Sequence, residues 1–339
     1  MHHVHLNFYG VGVCFKSDNQ ELTRDIQRDF SFFASKEDTT KIIISASFVR
    51  PPYASLPPMV ARYVSPRNIC YYNNHIKYID YSGKALVIFN QDKLRCDMHS
   101  IDYPLLHEIC YMTIMSLVAS ELDAMGLHRV HALGFTIGQK AVLLLMDMGG
   151  GKTTMALKIL SLSNTIKLLS EDSPLINPHG DILPFPLRIG VNEQEVPDGI
   201  PHEYLRRFQR QEFWPKTLID VEYFKEKIST VPARPHLIIL GKRVLGRNPS
   251  IEPVSKYAAL GEFIKNSVVG VGLYQGIEYI FQKGPREILL KIPLGLSRLR
   301  NSLKVIKGSK TFVFYLGQDK EENTSTLLSF LEQYKPHND

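Results

Sequence analysis

The chain of 339 residues contains only four cysteines, which lie far apart in the sequence: Cys14, Cys70, Cys96 and Cys110. None of them belongs to a C-x-x-C pair, and this argues against a zinc ribbon or a thioredoxin-type redox site. We therefore expect free thiols in a reducing compartment.

We expect neither a secretion signal nor a membrane-spanning segment. The first five residues of the chain, MHHVH, contain no basic start followed by an apolar stretch and a cleavage site. The most apolar stretch, residues 109–122, is shorter than the roughly 20 residues that a bilayer-spanning helix needs, and charged residues flank it. It therefore predicts a buried helix, and we expect a cytoplasmic protein without a membrane partner.

A strong charge bias is absent as well. The net charge of +6 is a modest basic excess for a chain in which 22% of the residues are charged. Such an excess can indicate a nucleic acid or a phosphate-bearing ligand, and phosphate accounts for it equally well here. We therefore expect an ordinary folded protein without a nucleic-acid partner, and a homo-oligomer is compatible with these features.

The first part of the chain predicts a small mixed α/β domain over residues 1–103. Residues 20–34 predict an amphipathic helix, because apolar residues recur there at three- and four-residue steps. Segments rich in β-branched and aromatic residues, with turn residues between them, predict strands at residues 4–15, 41–49, 69–72, 76–81 and 85–90.

The second part, residues 104–339, predicts a larger α/β domain. A helix is expected over residues 104–124. A strand, a helix and a second strand then predict a βαβ unit over residues 141–146, 152–162 and 166–169. Apolar runs without alternation are typical of strands that are covered on both faces. Further strands and a closing helix are expected at residues 237–240, 287–292, 311–316 and 324–333.

A run of three glycines lies between the first strand and the helix of this unit, where residues 147–154 read D-M-G-G-G-K-T-T. Consecutive glycines can adopt the positive φ angles that turn backbone N–H groups toward one point, where they bind phosphate oxygens. The following helix N-terminus favours the same anion, Lys152 reaches the terminal phosphates and Thr153 ligates Mg²⁺. The motif therefore predicts ATP and Mg²⁺ as ligands, with the nucleotide-binding residues Gly149, Gly150, Gly151, Lys152, Thr153 and Thr154.

One position departs from the usual pattern G-x-x-x-x-G-K-[ST], because Met146 stands where the first glycine is expected. Alternatively, therefore, the glycines and the lysine only form a tight connection between strand and helix. The place of the run between an apolar strand and a helix favours the phosphate interpretation, since the motif requires this context. We call residues 146–151 the glycine turn.

The second strand of the unit ends in Glu171 and Asp172. Adjoining strands of a parallel sheet end at the same edge, so these carboxylates are expected beside the glycine turn. One of them can help to hold Mg²⁺, and the other can accept the proton of an alcohol. Alternatively, they cap a turn at residues 173–174. His131 is expected on a strand beside the glycine turn, either as a functional residue or as a hydrogen-bonded core histidine.

Taken together, four runs resemble the HPr serine kinase/phosphorylase family, which shares the P-loop fold of phosphoenolpyruvate carboxykinase. These runs are residues 126–132, 141–154, 168–172 and 182–186. The resemblance implies an α/β fold with a P-loop kinase domain of that type over residues 104–339, preceded by the small mixed α/β domain. It is best over about residues 126–190, and the first part of the chain matches only in general layout.

The resemblance also implies roles for individual residues. His131, Glu171 and Asp172 correspond to catalytic positions, and we expect Thr153 and Asp172 to hold Mg²⁺. The family usually carries two aspartates, so Glu171 is a departure, and either carboxylate could be the base. Arg188 is expected either to contact a phosphate or substrate carboxylate, or to be a surface arginine.

These features predict an ATP- and Mg²⁺-dependent kinase that transfers the γ-phosphoryl group to a hydroxyl acceptor. The expected acceptor is a serine of a peptide or protein, or a small metabolite. The family's phosphorylase signature is not matched, so only kinase activity is expected and HPr is not the expected substrate. The first alternative is a nucleotide-binding regulator or scaffold without phosphoryl transfer. The second is a carboxykinase, whose oxaloacetate-binding and second-metal residues we do not identify.

Overall fold

The computed structural model describes residues 1–147, 149–209, 214–269 and 285–334. Its contacts group the chain into two compact units. The first unit comprises Met1–Leu122 and His202–Glu222, and the second comprises Asp123–Pro201 and Tyr223–Asp339. Both units combine helices with β-sheets, so the chain has a mixed α/β fold.

The first unit is built on one nine-stranded sheet. Its strands are β1 (His2–Phe8), β2 (Val11–Ser17), β3 (Ala34–Ser35), β4 (Thr40–Ser47), β5 (Ala61–Val64), β6 (Ile69–Asn73), β7 (Ile76–Asp80), β8 (Ala85–Asn90) and β9 (Arg95–Ser100). Their order across the sheet is β3-β1-β2-β4-β9-β8-β7-β6-β5. The helices α1 (Gln20–Asp29) and α2 (Tyr103–Ala124) follow β2 and β9 along the chain. All four cysteines belong to this unit, and they are buried free thiols.

The prediction of a single strand over residues 4–15 is wrong, because the chain reverses at Tyr9 and Gly10. Strands β1 and β2 pair in antiparallel fashion around these two residues, whose φ angles of 54° and 91° are both positive. Two positive φ angles are typical of the type I′ turn, which matches the twist of paired strands. The side-chain oxygen of Asn7 accepts a hydrogen bond from the Gly10 N–H at 2.7 Å and stabilises this turn.

The helix α2 was expected as a buried helix over residues 104–124. Among the residues that the structure describes, it is the one helix whose length and composition would allow it to cross a membrane. However, 61% of its most apolar window is buried inside the protein, as is usual for a core helix. The predicted division of the chain at residues 103/104 falls at the start of this helix.

The second unit contains a six-stranded sheet. Its strands are β11 (Leu133–Ile137), β12 (Lys140–Leu145), β13 (Ile166–Ser170), β19 (Arg234–Arg243), β20 (Ser250–Pro253) and β21 (Lys310–Leu316). Their order is β13-β11-β12-β19-β21-β20. The shorter strands β10 (His128–Arg129), β14 (Leu175–Ile176) and β15 (Ile182–Leu183) form a second sheet, and β16 (Ile189–Val191) follows them. The strands β17 (Leu205–Phe208) and β18 (Lys216–Ile219) form an antiparallel hairpin within the first unit.

The described residues of the second unit include four α-helices: α3 (Lys152–Leu162), α4 (Lys256–Phe263), α5 (Pro285–Gly308) and α6 (Lys320–Glu332). A π-helix, Ile264–Val269, continues α4 directly. The central strand β12 is buried along residues 141–145, which are all apolar. Burial of an entire apolar strand is expected where helices or loops cover both faces of a sheet.

The predicted βαβ unit forms with a different strand order. Strand β11 lies between β12 and β13 and runs antiparallel to both, so β12 and β13 are not neighbours. The prediction that they adjoin is therefore wrong. Because β11 opposes both strands, β12 and β13 run in the same direction and end at the same edge of the sheet. The expected position of the carboxylates beside the glycine turn follows from this topology as well.

The strand predicted at residues 287–292 is also wrong, because these residues belong to the helix Pro285–Gly308. A short apolar run does not distinguish a strand from a helix by its periodicity. Pro285 is the first residue of this helix, and proline is tolerated there because the N–H that it lacks would have no intrahelical partner. The run therefore marks the first part of a helix of 24 residues.

Two other helix ends differ from the prediction because of their local hydrogen bonds. Helix α1 ends at Asp29 and is followed by the 3-10 helix Ser31–Phe33, so the α-helix does not reach residue 34. Helix α6 begins before the predicted residue 324. The Asp319 carboxylate accepts the backbone N–H groups of Glu321 at 2.7 Å and Glu322 at 3.0 Å, and this N-cap sets the start of the helix.

Met146 packs against a glycine on the neighbouring strand. A Cβ atom at Gly241 would overlap Met146 Cγ and would lie 3.0 Å from Met146 Sδ. The Met146 side chain is buried, and Gly241 lies in β19, which pairs with β12. Gly241 therefore leaves room for the Met146 side chain, which stands where the usual pattern has a glycine.

Gly241→Ala is therefore expected to lower the free energy of unfolding by about 1–3 kcal/mol, which is the usual cost of overpacking. Met146→Ala alone is expected to cost about 2–5 kcal/mol because it leaves a cavity. In the double variant, the methyl group added at residue 241 fills part of the cavity left at residue 146. The loss of unfolding free energy in the double variant should therefore be smaller than the sum of the losses in the two single variants. Urea unfolding of the three variants measures the coupling.

Gly261→Ala is the matched control for this pair. Gly261 lies in α4, and a Cβ atom there would have no neighbour within 4 Å. Alanine in an open helical position should stabilise the protein by up to about 1 kcal/mol. Strict additivity of the Met146 and Gly241 variants would contradict the proposed contact.

Asp123, which belongs to the second unit, contacts one residue of β10 and one of α5. Its carboxylate accepts hydrogen bonds from Arg298 at 2.6 Å and from His128 Nδ1 at 2.8 Å, and its side chain is buried. Burial works to raise the pKa of Asp123, but the hydrogen bond from His128 and the charge of Arg298 outweigh it and hold this pKa below its usual range. Asp123 thus stabilises the folded unit as an ionised group.

The sign of the resulting pH dependence follows from the lowered pKa of Asp123. Its stabilisation is present above the unfolded carboxyl pKa of about 3.9 and is lost as the pH falls through the lower folded value. Asp123→Asn is expected to cost about 2 kcal/mol at pH 7, since a hydrogen-bonded charge is removed. The free energy of unfolding of this variant should also fall less steeply than that of the wild type as the pH decreases from about 5 to about 2. Denaturant unfolding over this range tests both effects, and an unchanged acid slope would contradict them.

Candidate functional site

The glycine turn connects β12 to α3 at one edge of the six-stranded sheet. Gly149 and Gly151 have φ angles of 74° and 101°, in the left-handed region that favours glycine. Gly150 donates its N–H to the Asp147 carbonyl at 3.0 Å, and a Cβ atom at Gly150 would lie 2.9 Å from that oxygen. The backbone therefore favours glycine at all three positions. Met148 lies outside the described residues.

Lys152 is the first residue of α3, and only 7% of it is exposed. Its ammonium group lies 2.9 Å from the Met146 carbonyl oxygen and 3.0 Å from His131 Nε2. Burial lowers the pKa of Lys152, while the charges of Asp172 and Glu171 act in the opposite direction. The helix N-terminus and this cation therefore place two sources of positive potential at the end of β12.

His131 lies between β10 and β11, at the same edge of the sheet, so the prediction that it lies on a strand is wrong. Its backbone N–H donates to the Asn266 carbonyl oxygen at 3.0 Å, and its ring Nδ1 lies 3.2 Å from Asn266 Oδ1. On the other side of the ring, Nε2 lies 3.2 Å from Asp172 Oδ1. The imidazole is buried and joins the carboxylate to Lys152, so it is placed for proton exchange as well as for packing.

The two predicted carboxylates follow β13 and reach different partners. The Thr153 hydroxyl donates to Glu171 Oε1. The Asp172 side chain is 48% exposed and contacts His131. Partial loss of hydration works to raise the pKa of Asp172, but His131 in its protonated form, together with the charges of Lys152 and Arg129, holds this pKa below its usual range. Asp172 is therefore an ionised carboxylate that solvent can reach.

The turn after these carboxylates has its own capping residue. The Ser170 hydroxyl accepts the Ser173 N–H at 3.0 Å. The side chains of Glu171 and Asp172 contact Thr153 and His131 instead. The geometry thus favours a site role over the alternative in which the carboxylates only cap this turn.

Asp147, at the start of the glycine turn, contacts a lysine of the π-helix. The Lys265 ammonium donates to its carboxylate, and this hydrogen bond is the main reason that the pKa of Asp147 lies below its usual range. Both side chains are well exposed, so the ion pair contributes at most about 1 kcal/mol. Its effect is to connect the turn with the residues after α4.

Three further residues of the site were not predicted. Asn266 contacts His131 through its backbone and its side chain. Arg129 is buried in β10, and its charge favours the ionised form of Asp172. Arg243 ends β19, with Nη2 3.2 Å from the place of a Cβ atom at Gly151. Of these three residues, only Arg243 could have been found from the sequence, because it follows an apolar strand that could end at the same sheet edge.

Two residues that were predicted to bind the nucleotide, Thr154 and Arg188, are not part of the contacts described above. Thr154 is in the first turn of α3 and is partly buried. Arg188 directly precedes β16 and is also partly buried. Contact of either residue with a nucleotide stays a prediction.

The donor set suits Mg²⁺ that is bound together with phosphate. Within the described ranges, no group of three or more His, Cys, Asp or Glu residues forms a metal site by itself. Mg²⁺ prefers oxygen ligands, keeps several waters and usually takes only one or two carboxylates when substrate phosphates complete its shell. The Thr153 hydroxyl and the Glu171 carboxylate, which are in direct contact, provide such oxygen donors.

The site therefore combines a turn of left-handed glycines, a buried cation, adjacent oxygen donors and an ionised carboxylate beside a histidine. Lys152, His131 and Asp172 form one connected set of contacts, and Thr153 and Glu171, their neighbours in the chain, contact each other. Such a set can bind a polyphosphate and accept a proton from a neighbouring hydroxyl. Comparison of the chain with protein-family models finds no match, and comparison with curated proteins finds none either.

Proposed function

We propose that the chain is an ATP- and Mg²⁺-dependent kinase that transfers the γ-phosphoryl group to a hydroxyl acceptor, with a P-loop domain of the HPr kinase type. The observation that carries this proposal is the convergence of Lys152, Thr153, His131 and the two carboxylates at one sheet edge. The sequence motif alone is compatible with a simple turn. A turn without a ligand would not require a buried lysine next to two carboxylates.

The glycine turn supplies the phosphate contacts in this proposal. Its glycines adopt the left-handed conformations of a backbone nest, and the N-terminus of α3 attracts anions. Lys152 lies within reach of the same region and would offset charge on the transferring phosphoryl group. Arg243 lies over Gly151 and adds a further positive charge there.

The two carboxylates divide the remaining roles. Thr153 and Glu171 would hold Mg²⁺, which neutralises phosphate charge when it is bound. This differs from the sequence-based assignment of the metal to Thr153 and Asp172. Asp172 is half-exposed and ionised, so it can orient the acceptor hydroxyl and receive its proton, with His131 beside it. The geometry therefore favours Asp172 as the base.

The acceptor is proposed to be a peptide or protein serine, or a small hydroxylated metabolite. The proposed setting is cytoplasmic, because ATP and free thiols suit a reducing compartment. The alternative is a nucleotide-binding regulator that lacks transfer. It is supported by Met146, which departs from the glycine pattern and whose carbonyl oxygen accepts a hydrogen bond from the Lys152 ammonium group.

The deciding experiment measures binding and transfer separately. Calorimetry with ATP, with and without Mg²⁺, tests the binding site, and radiolabelled γ-phosphate is then followed into serine-containing peptides and hydroxylated metabolites. Acceptor-dependent ADP release with a labelled acceptor supports the kinase. Tight binding without transfer to any acceptor would support the regulator, and absence of ATP binding would refute both.

A further inference from the structure

The segment after α4 delivers two adjacent side chains to the candidate site. Here α4 changes into the π-helix Ile264–Val269, in which Lys265 contacts Asp147 and Asn266 contacts His131. Asn266 is 1% exposed. A π-helix is rare and is often found at functional sites, because its wider turn redirects side chains.

The orientation of the Asn266 amide is determined by its hydrogen bonds. Its Nδ2 group donates to the Glu262 carbonyl oxygen at 2.8 Å and to Glu262 Oε2 at 3.3 Å. Both contacts require a donor, so Nδ2 must face Glu262 and Oδ1 must face the His131 ring. The Asn266 carbonyl oxygen also accepts the His131 backbone N–H, which holds the two residues together.

This orientation determines which ring nitrogen of His131 carries a proton. Asn266 Oδ1 can only accept a hydrogen bond, and it lies 3.2 Å from His131 Nδ1. Nδ1 must therefore be protonated, and the neutral ring presents the lone pair of Nε2 on its other side. The Lys152 ammonium group can only donate, and it lies 3.0 Å from Nε2, so it requires the lone pair there. Asp172 Oδ1 lies 3.2 Å from the same nitrogen.

We propose that Asn266 is a positioning residue that holds His131 in the Nδ1-protonated tautomer, so that Nε2 faces Lys152 and Asp172 as a proton acceptor. The role in catalysis rests on the proposed kinase function, whereas the tautomer is a property of the folded protein alone. In the opposite tautomer, Nε2–H would donate to Asp172 and Nδ1 would face the Asn266 oxygen, which cannot donate. The ring could then no longer accept a proton at Nε2, the nitrogen that faces Lys152 and Asp172.

The first test is the wild-type protein itself. Nitrogen-15 NMR of the labelled protein, with the His131 signals assigned by comparison with His131→Gln, distinguishes a protonated ring nitrogen from an unprotonated one. The expected result for the neutral ring is a protonated Nδ1 and an unprotonated Nε2. A protonated Nε2 in the neutral ring would overturn the assignment. This measurement needs no activity and no variant of Asn266.

The second test compares Asn266→Leu with Ser267→Ala. Leucine has a similar size but removes the acceptor, so the Nδ1-protonated signal should give way to a mixture of tautomers. The rate of phosphoryl transfer should fall about 10- to 100-fold, as is typical when the orienting partner of a functional histidine is lost, while the Michaelis constant for ATP stays the same. Ser267 is buried in the same π-helix and bonds to the Arg129 carbonyl oxygen, so its variant reports structural disturbance alone.

The outcomes separate this inference from the proposed function. A folded Asn266→Leu protein that keeps the Nδ1-protonated signature and the wild-type rate would overturn the inference. An equal fall in rate with Ser267→Ala would overturn it too, since the effect would then be structural. If the wild-type protein shows the expected tautomer but transfers no phosphoryl group, the kinase proposal fails and the assignment of the tautomer stands.

Discussion

Lys152→Ala is expected to abolish nucleotide turnover, with a fall in kcat/KM of about 10³-fold or more. The lysine begins α3, is almost fully buried and points its ammonium group at the end of β12. A buried cation in this place would offset charge that develops on the phosphoryl group during transfer, and water cannot replace it at equal strength. Steady-state ADP release with Mg²⁺ and acceptor measures the effect.

The fold is expected to survive this substitution. Burial lowers the pKa of Lys152, so the charged side chain is held at some cost in hydration that alanine does not incur. Its removal also leaves His131 Nε2 and the Met146 carbonyl oxygen without one partner, and we expect a net change within about 1 kcal/mol. Circular dichroism and urea unfolding check this expectation.

Lys158→Ala is the matched control, because Lys158 lies in the same helix but contacts Glu321 on the surface. Its turnover should equal that of the wild type. Wild-type turnover by Lys152→Ala would show that the glycine turn is not the nucleotide site. Equal losses in both variants would show that the effect arises from the helix and not from the ammonium group.

The local elements around the site were predictable from the sequence. The helix predicted at residues 152–162 has the bounds Lys152–Leu162, because glycines precede it and an apolar strand leads into it. The end of β13 at Ser170 places Glu171 and Asp172 where the apolar run stops. Such features depend on neighbouring residues in the chain, so their pattern is visible in the sequence.

Features that depend on distant residues were not predictable in the same way. The insertion of β11 between β12 and β13 is a property of strand pairing, which periodicity does not encode. Asn266 follows His131 by 135 residues, and no local motif marks it. The room for Met146 is provided by Gly241, whose absence of a side chain has meaning only once β19 is known to lie beside β12.

The roles of Asp172 and Glu171 can be distinguished by substituting each carboxylate in turn. Asp172→Asn is expected to have the larger effect on kcat. It should lower kcat by about 10²–10⁴-fold, the usual contribution of a general acid or base, with little change in ATP affinity. Asparagine keeps the size of the side chain but cannot accept a proton from the acceptor. It also alters the contact with His131 Nε2, so both members of the proton-accepting pair are affected.

Glu171→Gln is expected to act on the metal instead. The Glu171 carboxylate contacts the Thr153 hydroxyl, and its charge would strengthen Mg²⁺ binding next to the phosphates. The variant should therefore require a higher Mg²⁺ concentration for half-maximal turnover, and saturating Mg²⁺ should restore much of kcat. Titration of Mg²⁺ at saturating ATP separates the two variants. Rescue of Asp172→Asn by Mg²⁺, together with a loss of kcat in Glu171→Gln that Mg²⁺ does not restore, would reverse the assignment. Glu171 would then be the base and Asp172 the metal ligand, as in the sequence-based assignment of the metal.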